Sequence, residues 1–320
     1  MFWNNGAMKQ WNNRTIMLIK TSDSKLVKSF LSKLSLPKPN SHKGQNGRVL
    51  IIGGSSLFHS ASLWAAEVAS HFCDMVHYSS TVENQEIFLS LKKKFHNGII
   101  VPQEKLMDYV KEDDAILVGS GMVRQDQKSK IKYQNDILKI KNEAEYTREL
   151  TFYLINNFPK KKFVFDAGVL QMMDKEWLLK LKTPAIVTPH QKEFETLFGE
   201  KVLDLTLEEK TKLVQSTAKK YNTIILLKAI VDIISDGKEV YLVEGGNAGL
   251  TKGGTGDILA GLTTALSTSN STLTSAVAAS LLLKKTGEKL FHSKGYWYNV
   301  SNVVELIPEI LTRSIVKVRP

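Results

Sequence analysis

Short apolar runs alternate with longer amphipathic segments from residue 48 onward. The runs are mostly uniformly apolar rather than alternating with polar residues, which indicates strands of a sheet that is covered on both faces. Helical stretches between several of the runs favour crossover connections and a largely parallel sheet. The predicted strands are residues 49–52, 75–78, 99–101, 115–118, 163–165, 185–187, 224–227 and 240–243.

The first 47 residues show no strong period, and residues 36–41 contain two prolines in a stretch that resists both helix and central strand. We therefore expect an N-terminal arm over residues 1–40, with one short helix near residues 24–34. A single α/β domain over residues 41–320 would follow it.

Composition places the chain among ordinary globular proteins, with 42% hydrophobic and 23% charged residues. Its lone cysteine, Cys73, excludes an intramolecular disulfide or a cysteine-based zinc cluster, and fits a reducing cytoplasm. No apolar run approaches the roughly 20 residues needed to cross a bilayer, and polar residues interrupt the first 20 positions. We therefore expect a cytoplasmic protein without signal peptide or membrane span.

The net charge of +11 allows attraction to nucleic acid, to anionic membranes or to phosphorylated small molecules. The lysines are spread over segments such as 92–94, 128–141, 160–162 and 219–220, mostly between predicted elements and not interleaved with aromatic residues. This distribution favours solvated faces over a nucleic-acid groove, so we expect neither nucleic acid nor membrane as a partner.

Turns that could meet a ligand follow four of the predicted strands. They are residues 53–56 (GGSS), 119–121 (GSG), 166–168 (DAG) and 188–190 (TPH). Ligands of parallel sheets gather at the carboxyl ends of strands, although tight turns use glycine routinely and each turn alone could be structural. His190 is equally open to two interpretations, a ligand contact or a loop hydrogen bond.

The run KGGTGD at residues 252–257 stands directly before an apolar helical segment. Glycines let backbone N–H groups converge, and the unpaired N–H groups of a helix start favour phosphate. Asp257 would lie in the same field, held ionised by the positive helix end and able to accept a proton from a substrate hydroxyl. The alternative is that Asp257 only caps the helix.

Three segments together resemble the ADP/ATP-dependent NAD(P)H-hydrate dehydratases of the ribokinase-like superfamily. They are SHKG leading to GRVLIIGGS (residues 41–55), TPHQKEF (188–194) and GNAGLTKGGTGDILAG (246–261). The resemblance runs from about residue 40 to the C-terminus and implies a three-layer αβα sandwich with a mostly parallel central sheet. An epimerase domain precedes the dehydratase domain in many bacterial members, whereas the segment here is too short for one, so we expect epimerisation to lie elsewhere.

The resemblance implies repair of NADHX and NADPHX, the hydrated nicotinamide cofactors. ADP or ATP, with Mg²⁺, would phosphorylate the added hydroxyl, and phosphate would then be expelled. By this analogy Asp257 is the catalytic base, and the anion hole consists of Gly253, Gly254, Thr255 and Gly256.

The same resemblance assigns further contacts. Substrate-binding residues would be Ala61, Gly121 and His190 together with Asp257. Nucleotide-binding residues would be Lys228, Ala229, Ile230, Val231 and Asp232 together with Gly256, with Lys228 screening phosphate as a mobile cation. Asn247 would lie near the phosphates, and Asp166 would orient substrate or Mg²⁺ through water. No residue is assigned directly to a metal.

Four positions depart from the family pattern. Phe58 stands where a tyrosine is common, Ser60 and Ser62 replace a usual glycine and a small or proline position, and Ala229 replaces the glycine after the lysine. Ala229 matters most, because glycine is needed there if φ is positive or if the ligand touches the Cα. The lysine- and glutamate-rich residues 125–146 also exceed a minimal connection and suggest a helical insertion or a lid.

Other functions stay open at this stage. A ribokinase-like kinase for a thiazole alcohol or a hydroxymethylpyrimidine would use the same glycine turn and Asp257. A nucleotide-binding regulator without catalysis and a nucleic-acid binder are further alternatives. The sequence does not decide between ADP and ATP, and the resemblance suggests a homo-oligomer.

Overall fold

The computed structural model describes residues 8–11, 14–91, 96–124 and 142–315. The strands of these residues are β1 (Met8–Trp11), β2 (Arg14–Lys20), β3 (Arg48–Ile52), β4 (Met75–Ser79), β5 (Gly98–Ile100), β6 (Ala115–Val118), β7 (Lys162–Phe165), β8 (Ile186–Val187), β9 (Ile224–Leu227), β10 (Val231–Ser235) and β11 (Glu239–Glu244). The helices are α1 (Ser24–Leu31), α2 (Ser60–Ala69), α3 (Val82–Leu91), α4 (Leu106–Glu112), α5 (Glu143–Asn157), α6 (Gly168–Met172), α7 (Gln191–Phe198), α8 (Leu207–Tyr221), α9 (Thr255–Ser269), α10 (Thr272–Lys294) and α11 (Val300–Ile315).

The strands form one sheet in the order β1-β2-β11-β10-β9-β8-β7-β6-β3-β4-β5. β1 with β2, β9 with β10 and β10 with β11 are antiparallel, while the other neighbours are parallel. The mostly parallel sheet expected from the apolar runs is therefore confirmed. All eight predicted strands form, with ends that agree to within one residue.

Helices cover both faces of the sheet. Along β3, Val49 and Ile51 join a core with α1, α2, α9, α10 and α11, whereas Leu50 and Ile52 join a second core with α4 to α8. Successive strand residues point to opposite faces, so a uniformly apolar strand serves two cores at once. The predicted three-layer αβα sandwich is confirmed.

The sequence analysis did not predict β1, β2 or β10. β2 pairs in parallel with β11, and its Leu18 and Ile19 enter opposite cores. The described part of the first 40 residues thus adds two strands, β1 and β2, to the sheet and packs helix α1 on one of its faces. Whether those residues count as a separate unit stays a prediction.

Two expectations from the sequence concern a membrane span and an insertion over residues 125–146. The described residues contain no helix that is long and apolar enough to cross a membrane. Residues 125–141 of the suggested insertion lie outside the described residues, while the rest of that stretch belongs largely to the start of α5.

Candidate active site

The turns after β3, β6 and β7 pack against one another at the carboxyl edge of the sheet. Gly119 has φ +128°, and a Cβ at this position would collide with the carbonyl oxygen of Asp166. A Cβ at Gly121 would lie 2.9 Å from the Cβ of Ala61. The structure therefore brings together Ala61 and Gly121, which the resemblance assigned to one ligand.

The glycine-rich turn before α9 closes against α2. Gly254 has φ +100°, and a Cβ there would collide with the indole ring of Trp64. By contrast, a Cβ at Gly253 would meet nothing within 4 Å. The turn is thus fixed on its inner side by Trp64 and open at Gly253, as a binding cradle requires.

Several amides of this turn are available to an anion. The Thr255 N–H donates to the carbonyl of Lys252 at 3.2 Å, so one of the four amides expected in the anion hole is already paired. Among the described residues, no backbone acceptor pairs with the N–H groups of Gly253, Gly254 or Gly256. These N–H groups lie at the positive end of α9, which favours phosphate.

Asp257 lies in the first turn of α9 and is largely enclosed. Burial, and next the charge of Asp166, raise the pKa of its carboxyl to about 7, although Lys228 and a hydrogen bond with Ser120 act in the opposite direction. The expectation that the helix end keeps Asp257 ionised was wrong, because desolvation and a second carboxylate outweigh the helix field. A carboxyl with a pKa near neutrality is well matched to proton transfer.

Lys228 directly follows strand β9 and is held between two carboxylates. Its Nζ lies 3.0 Å from Oδ1 of Asp166 and 3.7 Å from Oε2 of Glu193. Burial lowers the pKa of Lys228, but Asp166, Glu193 and Asp257 outweigh it and raise the pKa above the usual value. The lysine is therefore held as a cation by its carboxylate neighbours, and its expected role in screening phosphate as a mobile cation stays a prediction.

Asp166 is 2% exposed, and protein donors occupy both of its oxygens. Thr188 donates to Oδ1 at 2.8 Å and Ser120 donates to Oδ2 at 3.4 Å, in addition to the Lys228 contact. The next residue, Ala167, has φ +48° and ψ −117°, a backbone conformation that residues other than glycine rarely adopt. Asp166 thus organises the floor of the site rather than presenting an open carboxylate.

His190 forms the N-cap of α7. Its Nδ1 accepts from the N–H groups of Lys192 and Glu193 at 3.1 and 3.2 Å, so a neutral ring carries its proton on Nε2. The side chain is half exposed, and its backbone bridges in parallel to Lys228. His190 therefore satisfies a loop hydrogen bond and also presents an N–H at the edge that holds the other site residues.

The turn from β9 to β10 is held by a buried carboxylate. Asp232 accepts from the Ala229 N–H at 2.9 Å and from the Ser280 hydroxyl at 2.7 Å, and Lys284 lies 3.4 Å away. Burial raises the pKa of Asp232 although Lys284 opposes this. Asp232 therefore faces α10 and shapes the turn, while Ile230 at its tip is 90% exposed and Val231 begins β10.

Asn247 supports the approach to the glycine turn. Its Oδ1 accepts from the Gly249 N–H and from the Tyr298 hydroxyl, both at 2.8 Å. These bonds fix residues 248–251, a short 3₁₀ segment that leads to Lys252. The amide oxygen is thus already engaged within the protein.

Sequence reasoning gave no role to Ser120, Glu193, Thr188 or Trp64, although all four shape the site. Ser120 stands between two glycines in the turn formed by residues 119–121. Glu193 follows His190 by three residues, which is the spacing of a capping box. That spacing was a usable signal for Glu193. Nothing local in the sequence links Trp64 to a turn 190 residues further along the chain.

Comparison with known proteins identifies the family of this chain. A family model described as NAD(P)H-hydrate dehydratase matches residues 49–309. The chain belongs to this family. The bifunctional NAD(P)H-hydrate repair enzyme of Methanocaldococcus jannaschii is 31% identical over 280 residues, covering 85% of this chain and 49% of that protein. The chain spans about half the length of several curated relatives that it matches.

One relative matches over nearly its whole length. The ADP-dependent (S)-NAD(P)H-hydrate dehydratase of Nitrosopumilus maritimus is 29% identical over 314 residues, covering 92% of this chain and 97% of the relative. Among solved structures, a ribokinase-like superfamily protein of Enterococcus faecalis has a TM-score of 0.74 at 20% identity, covering 94% of this chain and 96% of that one. The Bacillus subtilis ADP/ATP-dependent NAD(P)H-hydrate dehydratase has a TM-score of 0.70 at 20% identity, covering 91% and 97%. The fold is therefore ribokinase-like.

Departures from the pattern of the NAD(P)H-hydrate dehydratase family are accommodated locally. Among the described residues, only Ala167 and Asn222 combine a side chain with positive φ, so Ala229 fits its turn without backbone strain. Ser62 is buried, and its hydroxyl lies 2.9 Å from that of Tyr78. The alanine and this serine thus replace family residues without disturbing the elements that carry the site.

Proposed function

We propose that this chain dehydrates the hydrated cofactors NADHX and NADPHX to NADH and NADPH, using ADP or ATP as phosphoryl donor with Mg²⁺. Family membership and the Nitrosopumilus relative that it matches end to end support this activity. The observation that carries it is local: Asp257 stands beside unpaired amides of Gly253, Gly254 and Gly256, within the field of Lys228.

Two chemical events are required. Asp257 accepts the proton of the added hydroxyl while the terminal phosphoryl group of the nucleotide is transferred to that oxygen. Phosphate is a better leaving group than water, so it departs with the C–O electron pair as the ring nitrogen supplies electron density. Loss of a proton from the neighbouring carbon then restores the double bond.

Positive groups surround the path of the phosphoryl group. The free amides at the start of α9 and the ammonium of Lys228 bracket the Asp257 carboxylate, and a Cβ at Gly256 would lie only 3.5 Å from the Lys228 Nζ. Preorganised donors of this kind stabilise transferring charge without reorganisation. The bulk of catalysis would be positioning and electrostatic stabilisation.

The two ligands would lie on opposite sides of Asp257. Ala61, Gly121 and His190 face the hydrated nicotinamide, while Lys228, Ala229, Ile230 and Gly256 face the nucleotide. Val231 and Asp232 act indirectly, by closing the turn that presents Ile230. Asn247 and Asp166 act as supports, through the 3₁₀ segment and the floor of the site.

The described residues do not provide a ready-made Mg²⁺ site. Among the described residues, no group of three or more His, Cys, Asp or Glu side chains is placed to hold a metal. Both oxygens of Asp166 are occupied by protein donors. In our proposal Mg²⁺ enters with the nucleotide phosphates, and no step here depends on a protein ligand to it.

The test is to incubate purified protein with NADHX, Mg²⁺ and either ADP or ATP, and to follow recovery of dihydronicotinamide absorbance near 340 nm. Asp257→Asn should abolish turnover while nucleotide binding persists. The matched control Asp204→Asn changes an exposed carboxylate and should leave turnover intact. Nucleotide hydrolysis without recovered absorbance would point to a ribokinase-like kinase instead, and an active Asp257→Asn enzyme would remove the base assignment.

We also infer a cytoplasmic homo-oligomer that binds neither nucleic acid nor membranes. The lone cysteine supports the cytoplasm, the spread of lysine over the sequence supports the absence of a nucleic-acid partner, and the family resemblance supports the oligomer. Size-exclusion chromatography with light scattering tests the assembly, and salt-dependent binding to duplex or single strands would contradict the absence of a nucleic-acid partner.

A further inference from the structure

A second concave site lies away from the site residues described above. Helix α1, the C-terminal half of α10 and the end of α11 enclose a cavity of about 390 Å³. Four permanent cations line it: Lys28, Lys285, Lys289 and Arg313. None of the residues assigned above to substrate, nucleotide or the anion hole lines this cavity.

The cations outnumber the acids at this cavity. Glu288 is the one carboxylate in its lining, and its Oε1 already accepts from the Thr21 hydroxyl and from the Gly246 N–H at 3.0 Å. Arg313 is paired with Glu309 at 2.6 Å. Lys28 and Lys289 are exposed and have no acceptor within hydrogen-bonding distance in the described part of the chain, so their two ammonium groups are available to an anion.

The walls of the cavity are ordered by the fold. Lys285 donates to the carbonyl of Thr21 at 3.1 Å, which fixes the α10 wall against the end of β2. Val27 and Ile310 are buried and form an apolar floor. Helix α1 begins at Ser24 in the lining, and its positive end is already capped by the Asp23 carboxylate, which accepts from the Leu26 N–H at 3.0 Å.

We propose that this cavity binds a small molecule that carries at least two phosphate groups. Clustered lysine and arginine favour phosphate, and two unpaired lysines on different helices call for more than one anionic group. The volume falls within the range of small-molecule sites. Among the described residues that line the cavity the only ring is that of His292, so a nucleobase would find no Phe, Tyr or Trp to stack on.

The test is a calorimetric titration with inorganic pyrophosphate at low salt, comparing two double variants of equal charge. Lys28→Gln with Lys289→Gln removes the two unpaired cations of the cavity. The control, Lys25→Gln with Lys294→Gln, changes exposed lysines of the same two helices that do not line it. All four lysines are exposed, so both variants should fold, and circular dichroism checks this.

We expect the cavity variant to lose a pyrophosphate-binding event, or to weaken it at least about tenfold, while the control changes it by less than about twofold. Orthophosphate should bind the wild-type protein more weakly than pyrophosphate. Equal losses in both variants would show a response to net charge alone, and binding that persists in both would place pyrophosphate elsewhere. Either of these results, or absence of binding to the wild-type protein, would overturn the proposal.

Discussion

Replacing Asp257 with asparagine should stabilise the fold in a pH-dependent way. Burial and Asp166 raise the pKa of Asp257 from 3.8 to about 7, so the native state holds this proton more tightly than the unfolded chain. Wild-type stability attributable to this group is therefore present at low pH and is lost as pH rises from about 4 to about 7. Integrating that difference from pH 5 to pH 8 gives about 2–3 kcal/mol.

Asparagine has no charge to desolvate, so the stability of Asp257→Asn should not fall in this way as pH rises. The assay is urea unfolding of both proteins at pH 5 and pH 8, monitored by circular dichroism. The free energy of unfolding of the variant relative to wild type should increase by about 2–3 kcal/mol between the two pH values. Asp204→Asn should show no such change. If Asp257→Asn and wild type differ in free energy of unfolding by the same amount at both pH values, burial does not raise the pKa of Asp257.

Three further substitutions test single features of the site. Gly254→Ala should cost about 2–4 kcal/mol of folding stability and weaken nucleotide binding, because the new methyl group meets Trp64 and the backbone has a positive φ. The control Gly253→Ala should cost much less, since its methyl group meets no other atom. Equal urea midpoints for the two variants would contradict this. Ala167→Gly should raise the free energy of unfolding by about 1 kcal/mol by relieving φ +48°, and a lower melting temperature would speak against strain. His190→Ala should cost about 1 kcal/mol through loss of the α7 cap and weaken substrate more than nucleotide, and binding titrations with the reverse order would remove it from the substrate side.

The hydrophobic pattern was sufficient to predict the bounds of strands that are buried on both faces. Residues 115–118 and 224–227 agree with β6 and β9 residue for residue, since uniformly apolar runs signal such strands without reference to their neighbours. β2 and β10 were harder to predict. Asp232 within β10 is buried only because Ser280 and Lys284 of α10 satisfy it, and that partnership is not visible locally.

The candidate site shows the same division. The glycine turn and the residues after each strand could be placed at one edge because parallel strands end together there. The charge state of Asp257 could not be obtained this way, since the adjacent helix end argued for ionisation. Desolvation and Asp166, which is 91 residues distant in the sequence, decide it instead.

The sequence by itself determined the layered α/β architecture, the order of the ligand-facing turns and the identity of the acid at the start of α9. These features depend on local periodicity and on short motifs. Only the tertiary structure decided which groups lie close together. Lys228 lies between Asp166 and Glu193, and Gly254 packs against Trp64. Lysines of α1 and α10 line one cavity. Electrostatic and steric interactions depend on distance in space, and only folding sets that distance.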